Sequence, residues 1–123
     1  MIDLKNCTFI IPLRIESEDR MRNVITVLCY LLENFDTKVI VKEVDVESVF
    51  QEAVLPQIRE YLGDSLKKLV HVFERSEDPV FYRMKILNEM IDMVETPVIA
   101  NYDCDVLFKP ETYVESVDMI MEG

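Results

Sequence analysis

Two aspartates in the second half of the chain have the residue type and spacing best suited to chemistry. Asp103 and Asp105 follow a short apolar run, Val98–Ala100, that is typical of a strand. Carboxylates two residues apart on extended backbone project to the same side, and they repel each other unless a cation or protons intervene. Mg²⁺ and Mn²⁺ prefer such oxygen ligands and also accept substrate phosphates. The pair therefore indicates a metal–diphosphate site, and a solvated loop of an acidic chain is the other interpretation of the same pattern.

Other catalytic motifs find no support in the sequence. The chain has two glycines, Gly63 and Gly123, which excludes a glycine-rich phosphate loop and the dinucleotide-binding fingerprint. The single histidine, His71, lies between two valines in a β-rich run, and we expect it to be a hydrogen-bonded structural residue. The three cysteines have no CxxC spacing, which indicates a reducing compartment without a disulfide framework. The aspartate pair remains the main candidate.

Composition and charge restrict the class of protein. A length of 123 residues permits one domain, and 50% hydrophobic residues with only two Gly and five Pro indicate a folded core. A net charge of −11 argues against a nucleic-acid partner that is held through its phosphates. No apolar run is long enough for a transmembrane segment, and no signal peptide is evident, so a cytoplasmic location is expected.

Four short apolar, β-rich runs predict the strands that must position these side chains. They are residues 7–11, which Pro12 is expected to end, 39–44, 69–73 and 98–100. Helical spacing of apolar residues lies between and after these runs, so the elements alternate as β-α-β-α-β-α-β-α with short connections. This order predicts an α/β fold, an open three-layer sandwich with a mostly parallel sheet.

Caps and prolines predict where three of the helices begin. Ser17 is the expected N-cap of the first helix, which should end near residues 34–36. Asp78 and Pro79 are expected to cap and open the helix that precedes the fourth strand. Residues 109–111 are expected to open the last helix, whose apolar side would hold Val114, Val117 and Ile120.

Four segments carry a resemblance to a known family, and they occur in that family's order. They are FIIPLR at residues 9–14, KVIVKE at 38–43, FYRMKILN at 81–88 and DCD at 103–105. The third has the pattern F-x-R-x-K-x-L-N, and the fourth is a D-x-D motif. On these segments the chain resembles the first half of a GT-A glycosyltransferase, closest to family 2 and to the galactosyltransferase N-terminal domain.

The resemblance implies metal-dependent transfer of a sugar from a nucleotide-sugar donor, a UDP-sugar, to a glycan or other acceptor. The residues that would bind the nucleotide sugar are Pro12, Arg14, Glu43, Phe81, Arg83, Asn88 and Asp103. Asp105, together with Asp103, would hold Mn²⁺ or Mg²⁺. Many family-2 members carry an Asp-Asp pair where this chain has Glu43, so Asp45 is an alternative to it.

The same resemblance implies that residues 1–123 form a single donor-binding half-domain, truncated from a longer chain or reduced. In the family a second half supplies the acceptor site and any catalytic base, so we expect donor binding without turnover. An uncovered sheet edge would favour a homo-oligomer.

Two other functions fit the same elements. One is a non-catalytic α/β interaction module, and the other is a receiver-like signalling module. A receiver gathers acidic residues after its first strand, where this chain has Pro12-Leu13-Arg14. Outside the resemblance, Arg83 and Lys85 would be ordinary helix-surface residues and Phe81 a core residue.

Overall fold

Strands and helices alternate along the described chain, which comprises residues 2–101 and 110–122 of a computed structural model. The strands in these residues are β1 Ile2–Leu13, β2 Phe35–Asp45, β3 Leu69–Arg75 and β4 Val98–Asn101. The α-helices are α1 Glu18–Asn34, α2 Leu55–Leu62, α3 Arg83–Ile91 and α4 Pro110–Glu122. A π-helical turn, Phe50–Val54, leads into α2, and a 3-10 helix, Gly63–Lys68, follows it. The order of strands and helices is the one predicted.

The strands form a parallel sheet in the order β3-β2-β1-β4. Phe9 of β1 lies opposite Val39 of β2 on one side and opposite Ala100 of β4 on the other. The chain builds outward from β1 to β3 and then returns to the far side of β1, so a topological switch point lies between β1 and β4. All described strand pairs are parallel. The predicted α/β class with a parallel sheet is confirmed.

Helices cover both faces of the sheet. α1, α2 and α4 pack on one face, against side chains such as Phe9, Ile11 and Val41. α3 packs on the other face, against Ile10 and Ile40. Because side chains alternate across a strand, Phe9 and Ile10 enter different cores although they are adjacent in sequence. Right-handed crossovers place α3 opposite α1 and α2 once the strand order reverses, which produces three layers.

The first helix has the boundaries that its sequence predicts. Ser17 has extended backbone, and its Oγ accepts a hydrogen bond from the Arg20 amide at 3.1 Å. This cap satisfies one of the N–H groups that the first helical turn leaves without a partner. The helix ends at Asn34. Its buried stripe contains Val24, Val27, Leu28, Leu31 and Leu32.

The prediction that Pro12 ends the first strand is wrong. β1 continues to Leu13, which lies opposite Glu43 of β2. Its pairing with β4 stops earlier, at Ile10 opposite Asn101. Beyond Ile10 the strand has one neighbour among the described strands, and a residue without an N–H group is tolerated at such a position.

The predicted start of α3 is also wrong. The helix begins at Arg83, and Asp78 forms a turn instead, because its Oδ1 accepts a hydrogen bond from the Val80 amide at 2.9 Å. Short polar side chains stabilise turns in this way as readily as they cap helices. Residues 76–82 therefore form a connection between β3 and α3, and this connection borders the site described below.

The apolar face of α4 differs in part from the prediction. Tyr113 and Val117 are buried, whereas Ile120 is 60% exposed. Ile120 borders an open pocket together with Val98 and Ile99 of β4. Val117 thus packs as expected, Tyr113 takes the place of Ile120 in the core, and Val114 is half-buried.

Two further expectations concern membranes and thiols. In the described part of the chain, no helix has both the length and the apolar character that crossing a bilayer requires. Cys7 and Cys29 are free thiols. Burial raises the pKa of the Cys7 thiol to about 11, so it stays protonated at neutral pH.

Candidate functional site

A pocket of about 360 Å³ opens where β1 ends, next to the switch point. Its lining residues are Arg14, Glu16, Ser17, Arg20 and Phe81. They come from three places in the chain: the residues after β1, the first turn of α1 and the β3–α3 connection. In open α/β sheets, ligands bind beyond the carboxyl ends of the strands, where the strand order reverses. This pocket is therefore the candidate site.

The charges at the pocket suit an anionic ligand. Arg14 and Arg20 contribute two positive side chains and Glu16 one negative side chain, in a protein whose net charge is −11. The amino end of α1 adds N–H groups and the positive end of a helix dipole. An aromatic ring, Phe81, forms one wall. Arginines beside an aromatic ring form a suitable site for a phosphate group attached to a planar base.

Arg14 also binds its neighbours in the fold. Its Nε donates to the Val44 carbonyl at 2.8 Å, and its Nη1 donates to the Pro79 carbonyl at 3.1 Å. Its guanidinium carbon lies 5.5 Å from the centre of the Phe81 ring. The structure thus brings together Arg14 and Phe81, which the sequence assigned to the same ligand although they are 67 positions apart.

Arg83 lies beside the end of β4. It is half-buried in the first turn of α3, and its Nη2 donates to Oδ1 of Asn101 at 3.2 Å. Asn101 is the last residue of β4. Arg83 therefore links the start of α3 to the end of β4, the strand that precedes the D-x-D motif in the sequence.

Among the predicted nucleotide-binding residues that the structure describes, Arg14 and Phe81 line the pocket, and Pro12, Glu43, Arg83 and Asn88 do not. Asn88 is exposed on α3, and Pro12 is buried within β1.

Glu43 is fully buried, and both of its carboxylate oxygens have hydrogen-bonding partners. Its Oε1 accepts from Ser48 Oγ at 2.6 Å and lies 3.2 Å from Nε2 of His71, and its Oε2 accepts from the Phe50 amide at 3.1 Å. Burial raises the pKa of its carboxyl, but these hydrogen bonds outweigh burial and hold the pKa below its ordinary value. In this arrangement the carboxylate has no exposed surface with which to contact a base.

Asp45, the alternative to Glu43, is partly exposed at the end of β2. Its Oδ1 accepts from the Val46 amide at 2.7 Å, and its carbonyl accepts from the Ser76 amide at 2.9 Å. The side chain lies outside the set that lines the pocket. The Asp45 carbonyl thus holds Ser76, the first residue of the connection between β3 and α3.

His71 has the structural role that the sequence predicts. Its ring is mostly buried, lies within hydrogen-bonding distance of Glu43 and stacks on Phe50 with ring centres 4.4 Å apart. It lies on the face of the sheet that holds α1 and α2. His71 is therefore a partner of the Glu43 carboxylate.

The aspartates of the D-x-D motif lie outside the described residues. In sequence, Asp103 and Asp105 come two and four positions after Asn101, the end of β4. Among the residues that the structure does describe, no group of three or more His, Cys, Asp or Glu side chains could hold a metal ion. The metal prediction continues to rest on these two residues of the sequence.

Three residues that line the pocket were not predicted as site residues: Glu16, Ser17 and Arg20. Arg20 is the positively charged one. It lies in the first turn of the helix that directly follows β1. A signal was present, because a basic residue in that turn must lie near the carboxyl end of the strand whenever the loop between them is short. Glu16 and Ser17, in that loop, line the pocket for the same reason.

Comparisons of this chain with family models, with curated proteins and with solved structures found no match in any of the three.

Proposed function

We propose that this chain is the donor-binding domain of a metal-dependent glycosyltransferase of the GT-A type, and that it binds a nucleotide sugar, a UDP-sugar. The observation that carries the proposal is the pocket at the end of β1, where Arg14, Arg20 and Phe81 converge from different elements. The three-layer α/β sandwich with strand order β3-β2-β1-β4 supports the same assignment.

The proposed placement of the donor follows from the charges. A nucleotide diphosphate is strongly anionic, and the chain as a whole would repel it, so the diphosphate must lie where positive groups gather. Arg14, Arg20 and the amino end of α1 supply these groups on one side, and Arg83 supplies one beside β4. The planar base lies against Phe81, which offers an apolar surface.

The metal in this proposal is Mn²⁺ or Mg²⁺, with Asp105 as a direct ligand and Asp103 as its partner. When bound, it would act as a Lewis acid that stabilises the negative charge on the leaving diphosphate. The sugar would pass to a glycan or other acceptor, which the second half of such enzymes binds.

Calorimetric titration tests the proposal. UDP is titrated into the protein with and without Mn²⁺, and uridine and inorganic phosphate are the matched ligands that each lack one part of it. We expect UDP to bind more tightly than either, and Mn²⁺ to increase its affinity. If none of these ligands binds, the chain is a non-catalytic interaction module and the proposal is wrong.

A variant pair locates the binding in the pocket. Arg20→Ala removes a positive group that lines it, whereas Arg22→Ala removes an exposed arginine of the same helix that lies outside the lining set. We expect a weaker UDP affinity for the first variant and an unchanged affinity for the second. Equal affinities for both variants would place the nucleotide elsewhere.

A further inference from the structure

The β3–α3 connection, residues 76–82, is tied to the strand ends at several points. At its start, the Ser76 amide donates to the Asp45 carbonyl at 2.9 Å. Just after its end, Arg83 donates to Asn101. In its middle, Pro79 accepts the hydrogen bond from Arg14. Among the described residues, Arg14 is therefore the side chain that holds the middle of this connection against β1 and β2.

Phe81 is the residue of this connection that lines the pocket. It precedes α3, is half-buried and packs against the smaller core formed by Ile10, Ile40 and residues of α3. The Arg14 guanidinium lies over its ring. The Phe81 ring thus contacts both the smaller core and Arg14.

Arg14 uses its N–H groups in a way that lysine cannot copy. A guanidinium presents its donors in a rigid planar fork, so Nε and Nη1 can reach two carbonyls while the flat face covers an aromatic ring. The Arg14 side chain makes all three contacts, to Val44, Pro79 and Phe81. A lysine ammonium group is a single point charge. It would keep the positive potential of the pocket but could not donate to both carbonyls and also cover the ring.

We propose that Arg14 is a positioning residue, which holds Phe81 as the wall for the nucleoside part of the ligand. This inference rests on the proposed function and refines it. Arg14 acts on the base end through Phe81, and a lysine in its place would keep the positive charge that Arg14 contributes toward the diphosphate. The resulting expectation is specific: changing Arg14 weakens the binding of an uncharged nucleoside.

The test uses a variant that preserves charge. Arg14→Lys is compared with Arg22→Lys, the same change at an exposed arginine of α1, and circular dichroism confirms that both variants fold. We expect Arg14→Lys to lower the affinity for uridine and for UDP by the same factor, about fivefold, the size of an aromatic–cation contact that is partly exposed. Arg22→Lys should bind both probes like the unmodified chain.

A double-mutant cycle separates positioning from a general effect on the pocket. Phe81→Leu keeps an apolar side chain and removes the ring. If Arg14 acts through Phe81, adding Arg14→Lys to Phe81→Leu causes no further loss of uridine affinity. Additive losses, or a loss for UDP with uridine unaffected, would overturn the inference and leave the proposed function intact.

Amide hydrogen exchange provides a readout that needs no ligand. The Val80 and Arg83 amides are hydrogen-bonded within or beside the connection, to Asp78 Oδ1 and to the Phe81 carbonyl. In the ligand-free protein, Arg14→Lys should accelerate their exchange several-fold and Arg22→Lys should not. Unchanged exchange in Arg14→Lys would overturn the positioning role. Binding of neither UDP nor uridine by the unmodified chain would instead overturn the proposed function.

Discussion

Nε2 of His71 lies 3.2 Å from Oε1 of Glu43, across the boundary between β3 and β2. His71 is opposite Val41 in the register, two residues before Glu43, so the two side chains share one face of the sheet. The same carboxylate accepts hydrogen bonds from Ser48 and from the Phe50 amide. Glu43 thus joins two strands to the helical turn that leads into α2.

Because of this arrangement, the free energy of unfolding should decrease when the pH becomes acidic. Hydrogen bonds hold the pKa of Glu43 below its ordinary value of 4.5, although burial acts to raise it. The unfolded chain therefore takes up a proton at this residue at a higher pH than the folded chain does. The stabilisation is fully present above 4.5 and is lost as the pH falls through the lower pKa of the folded state.

Urea unfolding of Glu43→Gln measures the contribution. At neutral pH we expect a loss of about 1–3 kcal/mol in the free energy of unfolding, because a buried charge-assisted network loses its acceptor. The difference from the unmodified chain should shrink as the pH falls below 4.5, since the carboxyl is protonated first in the unfolded chain and then in the folded one. Glu52→Gln, an exposed residue of the next turn, is the control. A difference that stays constant with pH would contradict this account.

Tyr113 should contribute more to stability than Ile120. Ile120 was predicted on the apolar side of α4, and Tyr113 was not. The Tyr113 ring lies 5.4 Å from the Phe35 ring and 6.0 Å from the Phe9 ring, centre to centre. Tyr113→Ala should lower the free energy of unfolding by about 3 kcal/mol, because it opens a cavity between α4 and β1. Ile120→Ala should cost less than about 1 kcal/mol. Denaturant curves of equal slope would establish the comparison, and the reverse order would show that α4 packs differently.

Arg83 should act on the diphosphate and not on the nucleoside. Arg83→Ala is expected to reduce UDP affinity by about tenfold or more, the effect of losing a charge-assisted hydrogen bond. Uridine affinity should stay the same, since the guanidinium lies beside Asn101 and Arg14 is the residue that holds Phe81. Lys85→Ala removes a basic residue from the exposed side of the same helix and is the matched control. Equal losses for UDP and uridine would mean that Arg83 acts through folding.

The D-x-D aspartates should couple metal and nucleotide binding. We expect Mn²⁺ to bind weakly alone and more tightly with UDP, because two carboxylates leave ligand positions for the phosphates. Asp105→Asn should abolish the gain in UDP affinity that Mn²⁺ gives, and Asp103→Asn should reduce it. The control is Asp118→Asn, which removes the same charge at an exposed residue of α4, outside the motif. Calorimetry that finds the Mn²⁺ effect intact in Asp105→Asn would refute the metal assignment.

Local patterns predicted the elements well where the deciding interactions are local. The cap at Ser17 and the end of α1 depend on residues a few positions apart, and the sequence predicted both correctly. Asp78 and Pro79 failed as a helix start because the same local pattern suits a turn, and the contact from Arg14 helps to hold that turn. A contact over 65 positions leaves no trace in a local pattern.

The candidate site shows the same division. Arg14 and Phe81 were both predicted from the sequence as site residues, but their contact was not. Arg20 was missed although it lies in the first turn of α1, the helix that follows β1. Glu43 was chosen as a residue that contacts the base, yet it is enclosed by Ser48, Phe50 and His71. Whether a carboxylate after a strand faces a ligand or the core depends on which neighbours fold over it.

By itself, the sequence determined the alternation of strands and helices, the parallel sheet and the acidic character of the chain. These properties follow from composition and from periodicities of two and about 3.6 residues. Only the tertiary structure decided that β4 lies beside β1, that Tyr113 and not Ile120 is buried, and that Arg14 lies over Phe81. The physical reason is that these outcomes depend on contacts between residues far apart in the chain, which compete for the same space and the same hydrogen-bond partners.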